Sequence, residues 1–282
     1  MSNNHIYTNY SQGTVTSDDG TIISYYTTGK GPALILIHGA LSMAENYKDM
    51  AGYLGRDFTV YAIERRGRGL SGAQGNDYSI IKECEDMAVL QKNVKAEYLF
   101  GHSYGGLIAL EAARINNSFR KIAVYEPGVS VDGAISMSWI SAYQKSLSEG
   151  KYLDAFATFS ISAGPERAQK LPHWLMKVML RIFIKQKDRQ QIYRLLPANL
   201  LEHIEVSNKN NTYHNYREVQ AGVLLMYGGK SGLQYVDKAI KALTGVLPSS
   251  VIREFPALDH FGPDKTSPAE VAQTVRDYFL RD

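Results

Sequence analysis

The stretch Leu99 to Gly106, LFGHSYGG, sets one serine between two glycines, after a strand-like run and before a helix-like one. A serine that only packs or solvates has no need of small residues on both sides at a two-residue spacing. A serine held out on a sharp strand-to-helix turn does, because Gly101 and Gly105 let the two elements approach without side-chain clash. On such a turn the Ser103 hydroxyl projects above a sheet, and the first amides of the next helix point toward it.

The chain around this turn has the pattern of such a sheet. ALILIH (33–38), FTVYAIE (58–64), AEYLFGH (96–102) and KIAVYE (121–126) are continuous β-rich runs, as expected of strands buried on both faces. Segments 45–54, 77–94 and 105–115 between them have helical spacing. The alternation predicts an α/β fold, a doubly wound and mostly parallel sheet with right-handed crossovers. TIISYYTTG (21–29) reads as an edge hairpin strand. From roughly 130 to 205 only helical periods occur, broken by Gly and Pro. The α/β rhythm then returns with strands at 222–229 and 250–256 and a last helix at 268–280. The expected division is a core of 1–128 and 206–282 and a helical lid inserted at 129–205. The lid follows a strand C-terminus, where such sheets bind ligands.

The net charge of +3 is too small to suggest a nucleic-acid partner. The single cysteine, Cys84, allows no internal disulfide, which fits a reducing compartment. The opening MSNNHIYTNYSQG lacks the apolar run of a signal peptide, and no segment is apolar for long enough to span a bilayer. The expectation is a cytoplasmic protein acting on a small molecule, without stable membrane insertion. Oligomeric state leaves no trace in the sequence. The seven histidines are scattered, so no metal set is visible and no cofactor is expected. ERRGRGLSG (64–72) lacks the spacing of a phosphate loop, and its arginines suit loop bracing.

Attack by Ser103 on a carbonyl needs two donors for the developing oxyanion. One is the backbone N–H of Tyr104, directly after the serine. The loop after LILIHGA (34–40) suggests the N–H of Ala40 as the second. His38, at a strand end before Gly39, suits a loop brace better than a base. The base expected is His260 in FPALDHFGP (255–263), between the last strand and the last helix. His5, His173, His203 and His214 lie in the polar arm, the lobe or its exit, and strand alternation turns His102 away from Ser103.

In HGA, ERRGRGLSG, GHSYGG and DH, taken in order, the chain resembles the α/β-hydrolase superfamily over nearly its whole length. The resemblance implies that fold and a serine nucleophile; it is weak for the substrate. Its members include esterases, lipases, thioesterases, acyl transferases, carbon–carbon bond hydrolases and cofactor-free haloperoxidase-like enzymes. Members that open epoxides or displace halide carry an aspartate where this chain has Ser103.

The sequence departs from the family at the triad acid. In the family an acid usually follows the strand that here reads GVLLMYGGKSG, yet Ser231 stands in its place. Asp259 adjoins His260, but neighbouring loop side chains seldom reach each other's ring. Asp237 lies in a helical period. Glu126 ends the strand after the nucleophile helix, where haloalkane dehalogenases of the family place their acid, and its extra methylene adds reach. Glu126 is the expected acid and Asp237 the alternative.

In the lobe, Trp174, Leu175, Val178, Ile182 and Phe183 form an apolar stripe, and between 165 and 195 eight basic residues face only Glu166 and Asp188. Such a helix can lie on an anionic membrane, but a lid helix with its stripe toward the pocket or core is the expectation. Trp139 and Tyr104 are candidate pocket residues. The reading is a serine hydrolase of esters or thioesters with an apolar acyl part. A carbon–carbon bond hydrolase or acyltransferase with the same residues, or a non-catalytic ligand receptor, are the alternatives.

Overall fold

The computed structural model describes residues 10–247 and 249–281. His5 and most of the polar opening segment lie outside the described residues. Eight strands form one sheet: β1 (Ser11–Thr16), β2 (Ile22–Thr28), β3 (Ala33–Ile37), β4 (Thr59–Ile63), β5 (Tyr98–His102), β6 (Lys121–Tyr125), β7 (Gly222–Gly228) and β8 (Ser250–Phe255). Their order is β1-β2-β4-β3-β5-β6-β7-β8. β2 pairs antiparallel with both β1 and β4, and every pairing from β4 to β8 is parallel. The edge strand β1 is an addition to the expected set. Val15 is its one buried residue, so its sequence has too little apolar alternation to stand out.

Helices cover both faces. α1 (Lys48–Leu54) and α10 (Pro268–Leu280) pack on one side, with Met50, Leu54, Val271 and Phe279 against Leu36, Phe100 and Leu224. α2 (Ile80–Val94), α3 (Tyr104–Ile115) and α9 (Gln234–Val246) pack on the other, with Met87, Ile108 and Ile240 against Ile35, Leu99 and Leu225. Covering both faces explains why the parallel strands read as unbroken apolar runs. Between β6 and β7 the chain forms α4 (Ile140–Ser148), α5 (Tyr152–Ser162), α6 (Glu166–Gln169), α7 (His173–Phe183) and α8 (Gln186–Asn208). They have an apolar core of their own, built around Trp139, Tyr143, Phe156 and Leu180.

A buried ionic network ties this helical insertion to the sheet. Arg65, Arg66 and Arg68, in the loop after β4, are all buried. Arg65 reaches Glu83 on α2 at 2.7 Å and Glu202 on α8 at 2.8 Å, and Arg68 also donates to Glu202. Arg66 makes a two-pronged contact with Asp86 at 2.7 and 2.8 Å. Arginine suits these positions because its planar fork satisfies two carboxylates at once. The Arg65 guanidinium also lies 4.7 Å from the ring centre of Tyr104, so the network supports the first residue of α3.

Glu64 opens the same loop and is the exception. It is buried, accepts the Ala44 N–H at 3.3 Å and has no arginine in hydrogen-bond contact. Burial pushes its carboxyl up to about 7, from an ordinary 4.5. Between those values the folded chain holds a proton that the unfolded chain has released, so this group lowers stability as pH rises. Glu64→Gln keeps the acceptor and removes the charge. Its melting temperature should exceed that of the parent at pH 8 and match it near pH 4. A difference that does not change with pH would contradict the buried-carboxyl account.

Candidate active site

Ser103 sits between β5 and α3 with φ 54° and ψ −120°, a backbone region that side chains other than glycine avoid. Backbone bonds hold it there. Its N–H donates to the Tyr125 carbonyl, and its own carbonyl accepts from Gly106, Leu107 and Gly128. The flanking glycines are sterically required. A Cβ on Gly101 would lie 2.3 Å from the Gly105 oxygen, and one on Gly105 would lie 2.5 Å from the carbonyl oxygens of Ile37 and His38.

The loop after β3 abuts this turn. A Cβ on Gly39 would come within 3.2 Å of the Ser103 Cβ. Ala40 and Tyr104 line one cleft with Ser103 and His260. Tyr104 is the first residue of α3, where no earlier carbonyl of the helix can take its N–H. His38 is fully buried beneath the loop. Its Nδ1 lies 2.9 Å from the Gly39 oxygen, and its Nε2 accepts the Arg65 N–H at 3.3 Å. Burial, with Arg65 and Arg68 nearby, pulls its pKa well below the usual value. A neutral imidazole bonded to backbone on both sides is a brace for the loop.

On the other side of the turn, His260 Nδ1 is 2.6 Å from Glu126 Oε2. Glu126 is wholly buried, and its backbone is strained at φ 43°. Its Oε1 accepts the Gly228 N–H at 2.9 Å, and its Oε2 accepts the Ser231 hydroxyl at 2.8 Å. Ser231, in the place where the resemblance puts an acid, is thus a donor to the acid of the neighbouring strand. Asp237 is exposed on α9 and lines a separate surface depression with Tyr227 and Lys241. Asp259 Oδ1 accepts the Phe261 N–H at 2.9 Å and the Thr266 hydroxyl at 3.3 Å, so it serves the turn rather than the ring.

Several residues differ from their expected places. Trp139 is buried and outside the cleft lining. Its Nε1 donates to the Ser136 carbonyl, and its ring packs on Tyr143, Phe159 and His203. Two of those neighbours, Phe159 and His203, reach the cleft instead. Strand alternation sets His102 apart from Ser103, yet both line the same cleft, and the His260 ring centre lies 4.7 Å from that of His102. His102 Nδ1 bonds to the Tyr47 hydroxyl, which also accepts the Gly39 N–H at 3.3 Å. Burial and the neighbouring His260 pull the His102 pKa well below normal. The apolar stripe of α7 is also displaced: Met176 and Leu180 face the core, while Trp174, Val178, Ile182 and Phe183 face solvent.

Tyr235, near the start of α9, was not singled out by sequence reasoning. Its hydroxyl donates to the Glu126 carbonyl at 3.2 Å and touches the Ser103 side chain. Asp264 lines the cleft behind His260. Its Oδ1 is buried without a hydrogen-bond partner, and burial pushes the carboxyl up to about 6. The cleft is about 1370 Å³, with Phe156, Phe159, Leu180, Ile184 and Ile192 from the insertion among its walls. No cluster of metal-binding side chains occurs among the described residues.

Comparison with known proteins identifies the family and the fold. The sequence profile of the Alpha/beta hydrolase family matches residues 34–274, and the chain belongs to that family. An N-formylmaleamate deformylase of Pseudomonas putida is 26% identical over 181 residues, 60% of this chain and 68% of the relative. A Bacillus subtilis protein described only as an uncharacterized hydrolase, YraK, is 31% identical over 96 residues. That match spans 33% of this chain and about a third (35%) of the relative. The crystal structure of an alpha/beta hydrolase from Sphaerobacter thermophilus superimposes with a TM-score of 0.80 at 24% identity, covering 95% of this chain and all (100%) of the other. The chain is therefore a hydrolase-family protein with an eight-stranded, mostly parallel sheet flanked by helices.

The packing at the turn makes a direct prediction. Gly105→Ala puts a methyl group into backbone oxygens that cannot move without shifting β3. It should cost about 2 kcal/mol or more in urea unfolding. A change below roughly 0.5 kcal/mol would mean that strand and helix are not in close contact.

Proposed function

We propose that the chain is a serine hydrolase of esters or thioesters with an apolar acyl part. The observation that carries this reading is that the strained Ser103 lines one cleft with His260, whose ring is bonded to the buried Glu126. In the proposed cycle His260 Nε2 takes the Ser103 proton as Oγ attacks the acyl carbon. The N–H groups of Ala40 and Tyr104 bind the oxyanion. The tetrahedral adduct expels the alcohol or thiol, which takes the proton back from His260, and Ser103 is left acylated. Water, deprotonated by His260, then attacks the acyl group and frees the acid. Glu126 holds the ring in the tautomer with Nδ1–H and stabilises the imidazolium that forms. Metal and cofactor have no part in this cycle.

The aromatic and aliphatic walls of the cleft support an apolar acyl group, and the helical insertion acts as a lid over it. The deformylase relative favours a second reading, in which the same cycle cleaves a carbon–nitrogen acyl bond.

A fluorophosphonate probe tests the nucleophile, and a panel of p-nitrophenyl esters of rising chain length tests the substrate class. The parent should be labelled on Ser103. Ser103→Ala should abolish labelling and turnover at the parent melting temperature, and His260→Ala should slow labelling by at least about a thousandfold. Turnover retained in Ser103→Ala would end the serine mechanism. Activity on formyl amides but not esters would select the second reading.

A further inference from the structure

Among the described residues, three of the four most exposed large apolar side chains belong to one helix. They are Phe183 at 76%, Ile182 at 69% and Trp174 at 66% exposure, all on α7. Trp174, Val178, Arg181 and Ile182 follow at steps of four, three and one residue and share one side of the helix. The opposite side is where Met176 and Leu180 enter the core of the insertion. Arg189 caps the C-terminus of α7 by donating to the carbonyls of Arg181 and Ile184. The helix is therefore anchored, and its apolar face is a fixed outward surface.

Charge surrounds that face. Arg181, Lys185 and Lys187 are exposed and make no ion pair with a carboxylate among the described residues, whereas Lys177 is bound to Asp154. From His173 to Arg189 the one acidic residue is Asp188. The face also runs directly into the cleft mouth, because Phe183, Ile184 and Lys185 line the cleft that holds Ser103.

We propose that the outer face of α7 docks on the surface of an anionic phospholipid bilayer, with the cleft mouth held against the lipid. Charge complementarity selects this occupant. A second copy of the chain would bring Arg181, Lys185 and Lys187 against the same three cations. An acidic peptide would satisfy the charge, but α7 offers it a convex ridge rather than a groove. A bilayer meets both demands: its headgroups pair with the cations, and the indole, Val178 and Ile182 enter the headgroup boundary. The chain then lies on the membrane without crossing it, in keeping with the absence of any long apolar helix among the described residues. Amphiphilic esters in the leaflet it rests on would meet the cleft without passing through water. Docking is independent of catalysis, so its failure leaves the hydrolase reading intact, and the reverse also holds.

The chain has its own reporter. It has two tryptophans, of which Trp139 is buried and Trp174 is exposed. The test titrates the full chain with vesicles of equal parts phosphatidylglycerol and phosphatidylcholine, and with vesicles of phosphatidylcholine alone. Binding to the anionic vesicles should shift tryptophan emission to the blue and carry the protein into the vesicle pellet. Trp174→Phe should lose the shift yet still pellet. Val178→Ser with Ile182→Ser should no longer pellet, and Arg181→Glu with Lys187→Glu should weaken binding at least about tenfold, as should high salt. All these side chains are exposed, so the variants should keep the parent melting temperature. No pelleting with anionic vesicles, or equal binding to both vesicle types, would overturn the proposal. So would a dimer in sedimentation velocity that the Val178/Ile182 pair of substitutions dissolves, since it would assign the face to a second copy.

Discussion

One buried carboxylate organises the site. Glu126 is out of contact with water, and a carboxylate in that position needs donors from the protein itself. It finds three: the Gly228 N–H at the end of β7, the Ser231 hydroxyl just beyond, and His260 in the loop after β8. These donors come from three separate segments, so the carboxylate fixes the loops after β7 and β8 against the end of β6. The serine at 231 follows from the same constraint. An aspartate there would put two carboxylates in contact, which cannot both stay ionised. A neutral donor beside Glu126 leaves its charge free to act on His260.

The other half of the site depends on backbone geometry rather than charge. Ser103 and Glu126 both have positive φ, and they sit at the C-terminal ends of adjacent parallel strands. Such conformations persist only where their surroundings over-determine them. Here the determinants are the bonds to the Ser103 carbonyl and amide, the Gly101–Gly105 contact and the bond from Glu126 N–H to Met226. The buried arginines add support from below, because Arg65 lies against the Tyr104 ring and joins Glu83 to Glu202. The helical insertion is thus fastened to the core directly under the residue whose N–H would bind the oxyanion.

Much of this could be read from the residues. Unbroken apolar runs mark the parallel strands because both sheet faces are covered, and the glycine spacing marks the turn because no other residue fits its contacts. Glu126 stood out once Ser231 was seen in the place of the usual acid. What escaped depends on long-range packing. β1 has a single buried side chain and little alternation. Tyr235 reaches Ser103 from a helix more than a hundred residues later, and nothing local to YVDKAIKAL marks it. Strand alternation gave no sign that the His102 ring packs against that of His260. The apolar stripe of α7 has a plain helical period, but a period gives only the width of a face. Which way it turned was decided by Met176 and Leu180, whose side of the helix packs against α5.

The central claim is that Glu126, and no other acid, acts on His260. The most direct test is kcat for hydrolysis of a p-nitrophenyl ester by Glu126→Gln and by Asp237→Asn, each beside the parent protein. The glutamine keeps the shape and removes the charge that orients the ring, so kcat should fall by roughly 10²–10⁴-fold, while Asp237→Asn should stay within about twofold. A full loss in Asp237→Asn with Glu126→Gln unimpaired would contradict the account.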